Sequence, residues 1–329
     1  VSIAIVGGGS WGTALAVHLA RTGTAVRLWA REPEVADGIT RERRNPWYLS
    51  DVPVPASVIV TNDLADAVRG AESVVLAVPS EYVARTLDPL ARILPPVPVV
   101  SATKGLDPER HLRMTELITD AFPASPVAAL SGPTFAREVA AGLPTAAVVA
   151  SADDRCAAAL QQRLGSREFR LYANRDVIGV ETGGALKNVM AIATGLADGL
   201  DLGENARAAL ITRGLAEITR LAVALGAVPA TLAGLAGLGD LVLTCTGTLS
   251  RNHTLGVELA KGGTLESFER ETRMVVEGVR TVRSAIVLGQ RHGIELPICR
   301  AVARVVFDGD AAPRALASLL DRPLAREDG

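Results

Sequence analysis

Apolar residues fall in short unbroken runs through the first half of the chain and recur at helical spacing through the second. Ile3 to Val6 form the first run, and Ala14, Leu15, Val17, His18 and Leu19 follow as a helix. Further runs stand at 25–30 (AVRLWA), 58–61 (VIVT), 73–78 (SVVLAV), 98–103 (PVVSAT), 127–132 (VAALSG) and 145–150 (TAAVVA). Helix-like segments at 62–69, 80–92, 109–121 and 152–164 separate most of them. Strands alternating with helices predict a mostly parallel, doubly wound sheet with ligands at the carboxyl ends of its strands. From about residue 177 the pattern changes to long alanine- and leucine-rich stretches, broken by glycines near 199–203, 226, 234–239 and 262–263. These predict an all-α second domain and divide the chain into 1–176 and 177–329. The charged tail, Arg326 to Gly329, is expected to lack fixed structure.

Between the first strand and the first helix stand Gly7, Gly9 and Gly12, with Ser10 and Trp11 ahead of the last. This is the G-x-G-x-x-G turn in a strand–turn–helix context. One glycine makes the turn, one admits a pyrophosphate to the backbone N–H groups, and one lets helix pack on strand. The helix N-terminus then faces the phosphates with the positive end of its dipole. The first domain therefore reads as a Rossmann-like dinucleotide site, with a ligand-free β–α turn as the alternative.

Composition narrows the picture. The chain has 329 residues, 48% of them hydrophobic, enough for two domains with sizeable cores. No apolar run reaches the ~18 residues of a membrane span. A net charge of −2 provides no general basic field, so nucleic acid is not an expected partner. The first strand begins at once, leaving no room for a signal peptide, and a cytoplasmic location is expected. Cys156, Cys245 and Cys299 lie far apart and read as reduced, structural thiols. The histidines at 18, 111, 253 and 292 show no ligand spacing, so no metal is expected.

Of the 34 lysines and arginines, only those at 104, 187 and 261 are lysine. Lysine supplies a compact ammonium whose pKa moves on burial, which a guanidinium cannot supply. Lys261, in ELAKGG, reads as a solvated helix cap. Lys104 in SATKGL and Lys187 in GGALKNVMAIATG lie in apolar or glycine-rich surroundings and are candidates for chemistry.

At the end of the second strand an NAD-selective site places an acidic residue against the ribose. Here Leu28-Trp29-Ala30 continues into Arg31-Glu32. Arg31 can pair with a 2′-phosphate, favouring NADP(H), while Glu32 leaves NAD(H) open. A solvated Arg–Glu pair is the alternative. In the helical half, GLAGLGDLVLTCTGTLSRNHTLG (234–256) sets Asp240 among glycines and leucines and groups Ser250, Arg251 and Asn252. A forked guanidinium beside an amide and a hydroxyl suits a phosphate dianion. A polar loop ending in a helix cap at Ser250 or Asn252 accounts for the same residues.

The chain resembles, from end to end, the bacterial-type NAD(P)-dependent glycerol-3-phosphate dehydrogenases. The resemblance is carried by GGGSWGTALA (7–16), LWAREPE (28–34), VLAVPS (75–80), SATKGL (101–106), SGPTFA (131–136), GGALKNV (183–189), GLGDLVLTCT (237–246), SRNHTLG (250–256) and VVEG (275–278). It implies reduction of dihydroxyacetone phosphate to sn-glycerol 3-phosphate for glycerophospholipid synthesis, and a homodimer. It marks Lys187 as the proton-transferring residue. Ser10, Trp11, Arg31, Lys104, Ala136, Arg251, Val275 and Glu277 become cofactor contacts, and Tyr48 in NPWYL edges that site. Lys104, Gly132, Thr134, Lys187, Asp240, Ser250, Arg251 and Asn252 become substrate contacts. Thr134 stands where a serine is usual, keeping the hydroxyl and adding a methyl.

The residues support this chemistry independently. Hydride delivery to a ketone carbon leaves charge on oxygen, and a proton donor must stand within reach of it. A desolvated lysine can serve, and Lys104 can add positive charge where the alkoxide forms. A 3-hydroxy acid or 6-phosphogluconate dehydrogenase would also use a helical-domain Lys-Asn pair, but has no use for GLGDLVLTC followed by SRN. A nicotinamide-sensing module without chemistry would have no need of Lys104, Lys187 and Asp240.

Overall fold

The computed structural model describes residues 2–272 and 275–321; the tail 326–329 lies outside them. The strands are β1 (Ser2–Val6), β2 (Ala25–Trp29), β3 (Arg44–Asn45), β4 (Leu49–Pro53), β5 (Val58–Thr61), β6 (Ser73–Leu76), β7 (Val99–Ser101), β8 (Val127–Ser131), β9 (Thr145–Ala150) and β10 (Phe169–Asn174). Seven helices lie among them: α1 (Ser10–Arg21), α2 (Pro33–Glu42), α3 (Leu64–Val68), α4 (Ser80–Leu90), α5 (Met114–Ala121), α6 (Ala136–Ala141) and α7 (Asp154–Leu164).

Ile3 to Val6 and Ser73 to Leu76 are buried on both faces, as strands covered by helices on either side require. The sheet order is β10-β9-β8-β7-β6-β1-β2-β5. Every pairing in it is parallel except β8 with β9. After β8 the chain passes through the short α6, which lies against α1, and re-enters the sheet from the end it left. The chain runs outward from β1 through β2 to β5, then crosses back to place β6 on the other side of β1. That reversal opens a crevice beyond the carboxyl ends of β1 and β6.

Three features of this half escape the apolar pattern. Strand β10 pairs along β9 with Phe169 and Leu171 inward and Arg170 and Tyr172 outward. Its F-R-L-Y alternation is a half-buried strand signal in a stretch too short to stand out. Strands β3 and β4 form a polar hairpin with an irregular register. Asn45 holds it, donating to the Gly8 carbonyl and the Thr13 hydroxyl at 2.8 Å each and accepting from the N–H groups of Trp47 and Tyr48. The predicted helix over 109–121 starts only at Met114. Before it, Leu106 bridges Arg113 and His111 takes a φ of 60°, so the segment forms a turn.

The second half is helical: α8 (Val177–Gly199), α9 (Gly203–Ala224), α10 (Pro229–Leu232), a π-helical turn (Leu235–Gly239), α11 (Asp240–Thr246), α12 (Arg251–Ala260), α13 (Leu265–Thr272), α14 (Glu277–His292), α15 (Pro297–Phe307) and α16 (Ala312–Leu320). The stretch Pro229–Thr246 has the length and apolar composition of a membrane span. It is folded as α10, the π turn and α11, and carries a fully buried aspartate. Helix α8 is buried around nearly its whole circumference, with α9, α11, α12 and α14 packed against it. A helix surrounded this way needs apolar residues on every face, so its buried polar residues must each have a partner. Glu181 accepts from the Thr115 N–H at 2.9 Å, from the Thr115 hydroxyl and from Arg113 at 3.0 Å, joining α8 to the start of α5. Lys187 and Asn188 lie further along, at the crevice. The three cysteines are buried and unpaired.

Candidate active site

A cleft of about 590 Å³ lies at the crevice between β1 and β6 and extends to α8, α11 and α12. Its first wall is the glycine turn. Gly7 has a φ of 129°, open to glycine and costly for other residues. A Cβ on Gly12 would overlap the Gly7 carbonyl, so only glycine lets α1 start this close to β1. Gly9 faces open space, and no side chain caps the first N–H groups of α1. The buried indole N–H of Trp11, on the cleft wall, finds no acceptor among the described residues. Free donors at a positive helix terminus, with room above them, fit a dinucleotide pyrophosphate. Ser10 donates to the Tyr48 carbonyl at 2.7 Å, so the β3–β4 hairpin edges the same wall.

Arg31 and Glu32 line the far end of the cleft with Tyr82. Arg31 donates to one oxygen of Glu32 at 2.5 and 2.9 Å and lies 5.2 Å from the centre of the Tyr82 ring. Its side chain is 61% exposed against 21% for Glu32. An Arg–Glu contact thus stands on the cleft wall, with the guanidinium the more exposed partner.

The opposite end holds the three-membered cluster Lys104, Lys187 and Asp240. Lys187 enters from α8 and donates to Asp240 Oδ1 at 2.5 Å and to the Thr244 hydroxyl at 2.7 Å. Lys104, just past the end of β7, donates to Asp240 Oδ2 at 2.7 Å, the Gly132 carbonyl at 2.7 Å and the Thr134 hydroxyl at 3.0 Å. Burial pulls the Lys104 ammonium down to about 8 against the attraction of Asp240, and Lys187 lowers it further. Two ammonium groups share one carboxylate, so the cluster carries surplus positive charge toward the cleft. Asp240 is fully buried, and both its oxygens are taken. It lies behind the wall, as the counter-ion that spaces the two lysines.

Ser250, Arg251 and Asn252 form the start of α12 beside this cluster. Ser250 is the predicted cap, accepting from the His253 N–H at 3.3 Å. Arg251 is exposed toward the cleft. Asn252 donates to Asn188 at 2.9 Å and accepts from the Gly278 N–H at 2.9 Å, while Asn188 donates to the Lys104 carbonyl at 3.0 Å. Glu277 accepts from the Ser80 N–H at 3.0 Å and its hydroxyl at 2.6 Å. Burial pushes the Glu277 carboxyl up, against those hydrogen bonds and the charge of Arg251.

The structure thus brings Gly7, Gly9, Ser10, Trp11, Arg31, Tyr48, Lys104, Thr134, Ala136, Lys187, Ser250, Arg251, Asn252, Val275 and Glu277 onto one cleft. Gly12, Gly132 and Asp240 stand just behind its lining. Lys261 is the exposed cap at the end of α12. Asn188 and Thr244 are polar cleft residues to which sequence reasoning gave no role. Asn188 is next to a singled-out lysine, and Thr244 is one helical turn from Asp240, which is the signal that could have found them.

Models of the NAD-dependent glycerol-3-phosphate dehydrogenase N-terminus and C-terminus match residues 2–157 and 176–317. A glycerol-3-phosphate dehydrogenase [NAD(P)+] of Koribacter versatilis is 50% identical, over 99% of this chain and 98% of its own. Its counterpart in Rhodospirillum rubrum is also 50% identical, over 99% and 94%. The crystal structure of glycerol-3-phosphate dehydrogenase from Coxiella burnetii superposes with a TM-score of 0.94 at 40% identity, covering 98% of this chain and 99% of that one. A ketopantoate reductase from Ralstonia eutropha, 17% identical with a TM-score of 0.61, shares the fold.

Proposed function

The chain belongs to the NAD-dependent glycerol-3-phosphate dehydrogenase family and is an NAD(P)-dependent oxidoreductase; from that premise we propose how its residues divide the work. The reaction is the reversible reduction of dihydroxyacetone phosphate to sn-glycerol 3-phosphate. The bound nicotinamide supplies or takes up the hydride. The free N–H groups at the start of α1, with Gly7, Gly9, Ser10 and Trp11, hold the pyrophosphate. Arg31 meets the 2′-phosphate of NADP(H), and Tyr48, Ala136, Val275 and Glu277 border the dinucleotide.

Lys187 gives its proton to the ketone oxygen during reduction and recovers one in the reverse direction. Lys104, held by Gly132 and Thr134, stabilises the oxygen as charge gathers there. Asp240 keeps both ammonium groups turned to the same point. Ser250, Arg251 and Asn252 take the substrate phosphate, the guanidinium through paired N–H donors. The observation that carries this reading is the sharing of one buried carboxylate by two of the chain's three lysines, on the wall of a cleft that also holds a dinucleotide turn.

The proposal extends to a division of labour between 1–176 for the dinucleotide and 177–329 for the substrate. It also includes a cytoplasmic homodimer that feeds glycerophospholipid synthesis, supported by family resemblance. Lys187→Ala tests the chemistry. It is expected to lower kcat at least ~100-fold, the low end for a general acid–base group, with the Kd for NADPH unchanged. Near-normal turnover in the folded variant removes Lys187 from the role. Failure of the wild-type protein to oxidise NADPH with dihydroxyacetone phosphate overturns the reading.

A further inference from the structure

The first turn of α12 presents Arg251 and Asn252 to the cleft and is tied to α8 at two points. On the cleft side Asn252 donates to Asn188 at 2.9 Å. Outside the cleft lining, His253 Nε2 lies 2.7 Å from Oδ2 of Asp198, near the end of α8. A carboxylate only accepts, so the imidazole carries a proton on Nε2 and donates it into this bond. The other oxygen of Asp198 accepts from Arg207 Nε of α9 at 2.9 Å, and Arg207 pairs with Glu204 at 2.8 Å. The acceptor that faces His253 is therefore itself held from a third helix.

Between the two ties α8 and α12 meet backbone to backbone. A Cβ on Gly195 would overlap the His253 carbonyl, and one on Gly256 would overlap the Ile192 carbonyl. Such contact brings the helices close, with Leu255 buried in the core they share. Glycine at the crossing itself leaves no side chain there to interlock and fix rotation of α12 about its axis. Successive residues project about 100° apart around a helix. Hydrogen bonds at neighbouring positions 252 and 253 therefore restrain that rotation from two directions.

We propose that His253, held by Asp198, is a positioning residue that sets the rotation of α12 and so aims Arg251 and Asn252 at the substrate phosphate. This rests on the phosphate role given to those two residues above. His253 itself touches neither substrate nor cofactor.

Steady-state kinetics of His253→Ala, His253→Gln and Arg251→Ala, with dihydroxyacetone phosphate and with unphosphorylated dihydroxyacetone, test the assignment. His253→Ala is expected to raise KM for the phosphorylated ketone about five- to twentyfold while kcat stays within about twofold. Turnover of dihydroxyacetone stays at the wild-type level, because it has no phosphate to misalign. Glutamine, with an amide donor that can reach Asp198, restores most of the affinity. A wild-type KM in His253→Ala beside a raised KM in Arg251→Ala overturns the positioning role and leaves the phosphate reading standing. An unchanged KM in Arg251→Ala overturns both. Equal damage in the alanine and glutamine variants, or equal losses on both ketones, makes His253 a packing residue and sinks the proposal. Should His253→Ala fail to fold, Asp198→Ala carries the same comparison, and an unchanged KM there is equally fatal.

Discussion

Lys187 Nζ lies 2.5 Å from Oδ1 of Asp240, and the carboxylate it meets has no exposed surface. The second oxygen of that carboxylate holds Lys104 at 2.7 Å. Removing the negative charge strands two ammonium groups against each other in a buried place. Asp240→Asn is expected to cost about 3–5 kcal/mol of stability, the range for breaking a buried ion pair from one side. It should also lower kcat by at least ~100-fold, because the acid–base group loses its orientation. Denaturant unfolding and single-turnover rates measure the two effects. A variant with wild-type midpoint and turnover would show that the lysines do not depend on Asp240.

Burial sets the Lys104 ammonium at about 8, well below its ordinary 10.5. The group is charged below about 8 and loses its proton above it, so its positive charge in the cleft, assigned above to the reacting oxygen, disappears as pH rises through that value. Accordingly kcat/KM for ketone reduction should fall on the alkaline side, with the bend near 8. Lys104→Arg stays charged and should move the bend upward at some loss of rate, since a guanidinium does not fit the Gly132–Thr134–Asp240 acceptors as an ammonium does. An unfolded lysine keeps its proton to higher pH, so the unfolded state binds more protons between about 8 and 10.5. The Lys104 contribution to stability therefore rises with pH across that window. A wild-type rate profile flat from pH ~7 to ~9 would contradict the assignment of Lys104.

On the proposed reading Arg31 and Glu32, paired on the cleft wall, compete for the same ribose. On that reading the guanidinium would exchange its carboxylate partner for the 2′-phosphate of NADPH, and Glu32 would accept from the ribose hydroxyls of NADH. Arg31→Ala should weaken NADPH binding about tenfold or more and leave NADH nearly untouched. Glu32→Gln should act in the opposite sense, strengthening NADPH and weakening NADH. Titration calorimetry with each dinucleotide separates these effects from turnover. Equal losses of both cofactors in Arg31→Ala would assign the arginine to the Tyr82 stack instead.

Much of this protein is determined by residues close together in sequence. Ile3 to Val6 form a strand because four apolar residues in a row suit a sheet covered on both faces. Gly7, Gly9 and Gly12 announce the dinucleotide turn because the close approach of α1 to β1 excludes any larger residue at the last of them. The rarity of lysine, together with apolar or glycine-rich surroundings, marks Lys104 and Lys187 in the sequence itself. Tertiary structure alone decided that these lysines, with Asp240, form one cluster, since Lys187 and Asp240 stand 53 residues apart and Lys104 and Asp240 stand 136 apart. It alone seated Glu277 on Ser80 across 197 residues, and pinned the polar β3–β4 hairpin to the glycine turn through Asn45. The physical reason is range. Periodicity and turn chemistry act over a few residues and specify elements. Which buried donor meets which acceptor depends on how the two domains pack, and local sequence carries no record of that.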